Sequence, residues 1–173
     1  MTPTIFLCEP ATLNAAQRAV SDRWHECLFE LGFDVEQLRR DAYQRDPWSG
    51  LLPILSAADG VLVLGFRQLM VGSGTWRPGT DEETEVAPAA WTSTWLHIET
   101  GMALATGVPV LVAAESKVCE GVFASDTWAG PLRGTSADTP DDGVIGEWAA
   151  AVAARSWPDI DGAHAASTQH TPP

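Results

Sequence analysis

Glu99 is the side chain of this sequence that most needs a reason. It stands inside the run Trp95-Leu96-His97-Ile98-Glu99-Thr100-Gly101-Met102-Ala103-Leu104-Ala105-Thr106-Gly107-Val108-Pro109-Val110-Leu111-Val112, where an apolar helix hands over to an apolar strand. A carboxylate there either turns to solvent, with a mild favourable dipole interaction, or sits in a cleft, where it must be paired or hydrogen-bonded. Periodicity alone leaves both open. His97 is the nearest candidate general acid, but residues two apart on a helix point apart. Arg67, Arg77 and Arg133 are candidate local positive charges, with solvated or salt-bridged surface arginines as the plainer reading. The chain has eight tryptophans. Trp76, Trp91 and Trp95 fall close together in sequence, and an aromatic face can stack on a flat ring or pack a sugar as well as anchor a loop.

The elements around these residues alternate. Thr4–Cys8 is a short apolar run ended by Glu9-Pro10, which reads as a first strand. Leu13, Ala16, Val20, Trp24, Leu28 and Leu31 recur at steps of three and four, predicting a helix over about 12–31 with Gly32 at its C-terminal end. Residues 33–38 alternate weakly and predict a second strand. A second helix is expected over 48–57, with Pro53 in its first turn or kinking it. Val61-Leu62-Val63-Leu64-Gly65 reads as a strand buried on both faces. From 66 to 92 periodicity vanishes, Gly and Pro recur, and Asp81-Glu82-Glu83-Thr84-Glu85 is acidic. That stretch is expected to be a long loop. Trp95, Ile98, Met102 and Ala105 share one face of the helix that follows, and Gly107 and Pro109 end it. A buried strand over 108–113, a loop, a short strand at 131–134 and a helix over 142–156 complete the pattern.

Strands alternating with helices predict an α/β, three-layer sandwich around a mostly parallel five-stranded sheet of flavodoxin- or Rossmann-like type. Residues 1–157 are expected to form one domain and 158–173 a flexible tail. Ligands of such sheets bind at the carboxyl ends of the strands, here near Glu9-Pro10, Gly65-Phe66 and Ala114-Glu115.

Composition excludes several classes. Against 10 basic residues stand 23 acidic ones, a formal charge of −13, which repels nucleic acid and anionic membranes. No apolar run is long enough to span a bilayer, and the start lacks a signal-peptide pattern, so a cytoplasmic protein is expected. Cys8, Cys27 and Cys119 are odd in number and lack metal-ligand spacing. They predict neither disulfides nor a metal site, but small apolar packing.

A resemblance sharpens the reading of Glu99. Glu99-Thr100-Gly101, then Ala103 and Gly107-Val108-Pro109-Val110, resembles the Glu-x-Gly-x-Ala-x-x-x-Gly-Lys-Pro-Val pattern of the nucleoside 2-deoxyribosyltransferase family, with Val108 in place of lysine. Nucleotide N-glycoside hydrolases are relatives, and TIR-like domains share the architecture. Ser56-Ala57-Ala58-Asp59-Gly60-Val61-Leu62-Val63 and Ile5-Phe6-Leu7-Cys8-Glu9-Pro10 also resemble family elements. The resemblance implies a catalytic Glu99 at the anomeric carbon of a ribosyl group. It offers Asp59 as a second catalytic group, with Glu9 as the strand-end alternative, although Asp59 is as well suited to capping a turn. The candidate substrate contacts, from the strand ends, the local charge, the aromatic cluster and the resemblance together, are Glu9, Pro10, Phe66, Arg67, Trp76, Trp91, Trp95, Met102 and Trp128. No cofactor is implied. The expected partner is a small nucleoside, nucleotide or NAD-like molecule, and a homo-oligomer stays open. Three functions compete: cleavage or transfer of an N-glycosidic bond, non-catalytic nucleotide sensing on the same fold, and partner binding through the tryptophan-rich loop.

Overall fold

The computed structural model describes residues 2–38, 47–86 and 88–156. The polar segment 39–46 and the expected tail at 158–173 lie outside the described residues.

A five-stranded sheet is built from β1 (Thr4–Cys8), β2 (Asp34–Glu36), β3 (Gly60–Gly65), β8 (Val110–Ala114) and β9 (Leu132–Ser136). Its order is β2-β1-β3-β8-β9 and every pairing is parallel. The helices are α1 (Ala15–Glu30), α2 (Pro47–Ala57), α3 (Thr94–Ala105) and α4 (Asp142–Ser156). Strand alternation divides the core in two. Ile5, Leu7, Leu62, Leu64, Leu111 and Ala113 point to one face, where α1 brings Val20, Trp24 and Leu28 and α4 brings Ile145, Trp148 and Val152. Phe6, Cys8, Val61, Val63, Val110 and Val112 point to the other, under Leu51 and Leu55 of α2 and Leu96 and Ala103 of α3. The result is the expected three-layer α/β sandwich. Burial of each Val, Leu or Ile side chain is worth about 1.5–3 kcal/mol, so these two faces drive the fold.

Local signals set the helix ends. Asn14 and Gln17 form a reciprocal capping box, with Oδ1 of Asn14 accepting from the Gln17 N–H at 2.9 Å and Oε1 of Gln17 accepting from the Asn14 N–H at 3.1 Å. This starts α1 at Ala15 rather than near 12 and turns Gln17, not Ala16, inward. Leu31, expected on the apolar stripe, is 40% exposed because the helix has already ended. Gly32 follows at φ +79°, the left-handed turn a glycine allows. Pro53 lies beyond the first turn of α2, where it removes one N–H from the helical ladder.

The stretch 66–92 is not an irregular loop. β4 (Leu69–Val71) pairs antiparallel with β7 (Ala89–Trp91), and β5 (Gly74–Trp76) with β6 (Thr84–Val86). Both pairings continue one register, with Val71 opposite Ala89 and Gly74 opposite Val86. The segment is therefore one interrupted hairpin, a ribbon whose turn runs over 77–83. Arg77 at φ 53° and Gly79 at φ 76° bend the turn, and Arg77 pairs with Glu82. The acidic cluster is solvated, as its composition suggests. Most ribbon residues are exposed on both faces, so no hydrophobic alternation marks the strands in the sequence. Ala90 is the exception. It is buried at the ribbon's base, where its N–H donates to the Lys117 carbonyl at 3.2 Å.

The packing at Gly60 yields a prediction. A Cβ there would meet Val152 Cγ2 at 2.5 Å and Ile5 Cδ1 at 2.9 Å. Gly60→Ala should lower stability by about 1–3 kcal/mol in urea unfolding. Gly101→Ala, where a Cβ meets nothing within 4 Å on α3, should be neutral or stabilising by about 0.5–1 kcal/mol.

Candidate functional site

α3 is apolar on nearly every side, so its sequence did not select a face. The structure buries Leu96, Glu99, Thr100 and Ala103. Trp95 is 37% exposed, Ala105 is exposed, and Ile98 and Met102 are half-buried. The expected Trp95–Ile98–Met102–Ala105 face is thus not the one that packs on the sheet. Ser93 fixes the start, its Oγ accepting from the Trp95 N–H at 3.3 Å. The Thr100 hydroxyl donates to the Leu96 carbonyl at 2.6 Å, which satisfies that buried group.

Turned inward, Glu99 is 4% exposed and lines a cavity of about 300 Å³. The cavity lies at the carboxyl end of β1, bounded there by Cys8, Glu9 and Pro10, by Gln37 and Leu38 just past β2, and by Arg18 of α1. In the strand order β2-β1-β3 the chain moves to opposite sides of β1, which makes this the switch point where parallel sheets open a crevice. Glu9 is braced: its Oε2 accepts from the Ser21 hydroxyl at 2.7 Å and its Oε1 from the Gln37 amide at 3.3 Å. Two carboxylates therefore face one small hollow.

A second cluster ties the neighbouring strand tips together. Glu115, just past β8, is buried. Its Oε2 accepts from the Arg67 backbone N–H at 2.8 Å and from the Gln17 amide at 2.9 Å, and its Oε1 pairs with the Arg67 guanidinium. Burial pushes the Glu115 carboxyl upward, but the hydrogen bonds from Arg67 and Gln17 outweigh it and hold the group below its ordinary value of 4.5.

The candidate residues from the sequence separate into groups. Glu9, Pro10 and Glu99 meet at the cavity. Asp59 does not join them. It precedes β3 at the amino end of the sheet, where its Oδ2 accepts from the Thr4 N–H at 2.8 Å. Its position is that of a turn-capping carboxylate, on the opposite edge from Glu99. Phe66 is core, and Arg67 is engaged with Glu115. Met102 packs against the α2/α3 side of the core. Trp76 and Trp91 line a separate open concavity of about 590 Å³ along the ribbon. Trp128 borders another, of about 510 Å³, beyond β8 and β9. Arg77 and Arg133 pair with Glu82 and Glu147. His97 turns away from Glu99 and meets Phe123 edge-on, with ring centroids 5.4 Å apart; burial lowers its pKa.

Sequence reading missed Gln17, Arg18 and Gln37, named Glu115 only as a strand end, and gave Cys8 only a packing role. The one local signal for Cys8 was its place as the last residue of a buried strand. Among the described residues no cluster of His, Cys, Asp or Glu could hold a metal ion, and no helix is long and apolar enough to cross a membrane.

Fold and site define a parallel α/β domain with an acid-lined hollow at its strand tips. No protein-family model and no curated protein matches the chain. Among solved structures it is similar to the CMP N-glycosidase BcmB of Clostridium botulinum, with 13% identity and a TM-score of 0.49 over 82% of this chain and 93% of that one. It is also similar to a 2-deoxyribosyltransferase of Bacillus psychrosaccharolyticus, with 16% identity and a TM-score of 0.43 over 72% of this chain and 81% of that one. Both similarities are of backbone architecture.

The Glu115 cluster sets a pH dependence. A carboxyl held low in the folded state stabilises the fold above its ordinary value, and the contribution fades as pH falls through the folded-state value. Glu115→Gln should therefore lower stability near neutral pH by about 1.5–3 kcal/mol. The gap between variant and parent should close in acid, as read by thermal unfolding across pH.

Proposed function

We propose that the chain cleaves or transfers the N-glycosidic bond of a nucleoside or mononucleotide, with Glu99 as the carboxylate that meets the sugar. One observation carries this reading: a buried glutamate lines a small cavity at the sheet's switch point. The motif beginning Glu99-Thr100-Gly101 supports it independently.

The chemistry suits the residue. As the base departs, positive charge spreads over C1′ and the ring oxygen of the sugar. A carboxylate shielded from bulk water stabilises that charge more strongly than an exposed one, and can also trap it as a glycosyl ester. Water then releases free sugar, whereas a second base receives it. Glu9, held by Ser21 and Gln37, is oriented to accept a sugar hydroxyl. Small-molecule sites span about 300–1,000 Å³. The cavity's volume is at the lower end, which favours one nucleoside unit over a dinucleotide such as NAD.

A chromatographic screen of nucleosides, nucleotides and NAD for freed base tests the reading. The parent protein should release base from a nucleoside or mononucleotide. Glu99→Gln should keep its circular dichroism spectrum and lose about a thousandfold or more in rate. Ligand binding without release by the parent would instead indicate a sensing module. An unimpaired Gln variant would remove Glu99 from the chemistry.

A further inference from the structure

The concavity along the ribbon is separate from the hollow at Glu99 and has its own chemistry. One face of the ribbon forms its floor. Trp91 stands opposite Leu69 in the ladder and Trp76 opposite Thr84. Directly opposed residues share a face, and all four line the same space of about 590 Å³. Leu69 is 58% exposed and Trp76 48%, so this apolar face stands open among the described residues. Two carboxylates border it, Glu85 from β6 and Glu120 from the loop after β8. Neither is ion-paired among the described residues, and no Lys, Arg or His lines the space. We propose that this concavity binds a small organic cation, an alkylated ammonium whose apolar groups rest on Trp76 and Trp91 and whose charge is met by Glu85 and Glu120.

The indole face is the best aromatic surface for a cation, because its ring quadrupole is negative. Other tryptophans have structural work: the indole N–H groups of Trp24, Trp128 and Trp148 each donate to a backbone carbonyl. Trp76 and Trp91 have no such bond and no ring partner among the described residues. Charge selects the ligand. The two carboxylates and the −13 surface repel a phosphate and concentrate cations. An apolar floor gives a metal ion no cage of oxygen ligands, whereas it desolvates the alkyl groups of an organic cation at little cost. A second copy is disfavoured on this face, since it would bring Glu85 and Glu120 against their like. The acidic turn adds Asp81, Glu82 and Glu83, and Arg77, the basic residue of the ribbon, is already paired with Glu82. The volume lies within the range of about 300–1,000 Å³ usual for small-molecule sites.

The test uses two probes on the full chain: choline, and its uncharged isostere in which a tert-butyl group replaces the trimethylammonium. Binding is followed by tryptophan fluorescence and by NMR of the probe. Choline should bind saturably, and the isostere about three- to thirtyfold more weakly. Trp76→Leu, which keeps an apolar side chain at an exposed position, should weaken choline about three- to tenfold, and Trp76→Phe should lose less. Glu120→Gln should weaken it about two- to fivefold, and added salt should weaken the parent more than this variant. All three variants should keep the parent's circular dichroism spectrum. The absence of saturable choline binding, equal affinity for the two probes, or undiminished affinity in Trp76→Leu overturns the proposal. A sedimentation coefficient that rises with protein concentration in the parent but not in Trp76→Leu also overturns it, and gives the face to a second copy.

Discussion

α3 can bury Leu96 and Ala103 against the sheet only by burying what lies between them. Leu96, Glu99, Thr100 and Ala103 are spaced three, four and seven residues apart, a single stripe on an α-helix. Docking that stripe on β3 and β8 forces one carboxylate to the sheet's surface. An isolated buried charge is costly. The stripe reaches the end of β1 where the crevice opens, so Glu99 borders a cavity rather than solid core. The site is a consequence of how the helix must pack.

Other contacts keep the strand tips in register around it. Gln17 both closes the capping box of α1 and donates to Glu115, so the start of that helix and the end of β8 share one side chain. Arg67, engaged through backbone and guanidinium, fixes the point where the ribbon leaves the sheet. Glu9 is fixed by Ser21 of α1 and by Gln37 beyond β2. α1 thus supports both carboxylate clusters. The protein has a large excess of acid, yet the acids nearest the strand tips are individually held. The −13 charge governs what approaches the surface rather than what happens in the hollow.

Much of this was legible in the residues. The buried strands announced themselves as β-branched and leucine runs, and glycines at 32 and 107 marked helix ends that the backbone confirms with positive φ. Parallel order followed from alternation. Two things were hidden. The ribbon over 69–91 buries too little to leave a hydrophobic period. The facing of α3 was hidden for the opposite reason, because a helix apolar on most sides has no preferred stripe until the sheet selects one. Asp59 shows a limit of motif reading: a carboxylate next to a strand looks the same in sequence at either end, and only topology separates the capping end from the binding end. The hollow shared by Glu9 and Glu99 and the Glu115 cluster bring together residues far apart in the chain, which no local pattern records.

The claim beneath the rest is geometric: residue 99 faces the sugar. A crystal structure of the Glu99→Gln protein soaked with a nucleoside that the parent cleaves would measure it directly. The account predicts the sugar in the hollow beside Glu9 and Pro10, with C1′ in contact with the side chain of residue 99. Electron density for the nucleoside elsewhere, against Trp128 or along the ribbon at Trp76 and Trp91, with the hollow beside β1 empty of it, would contradict the account.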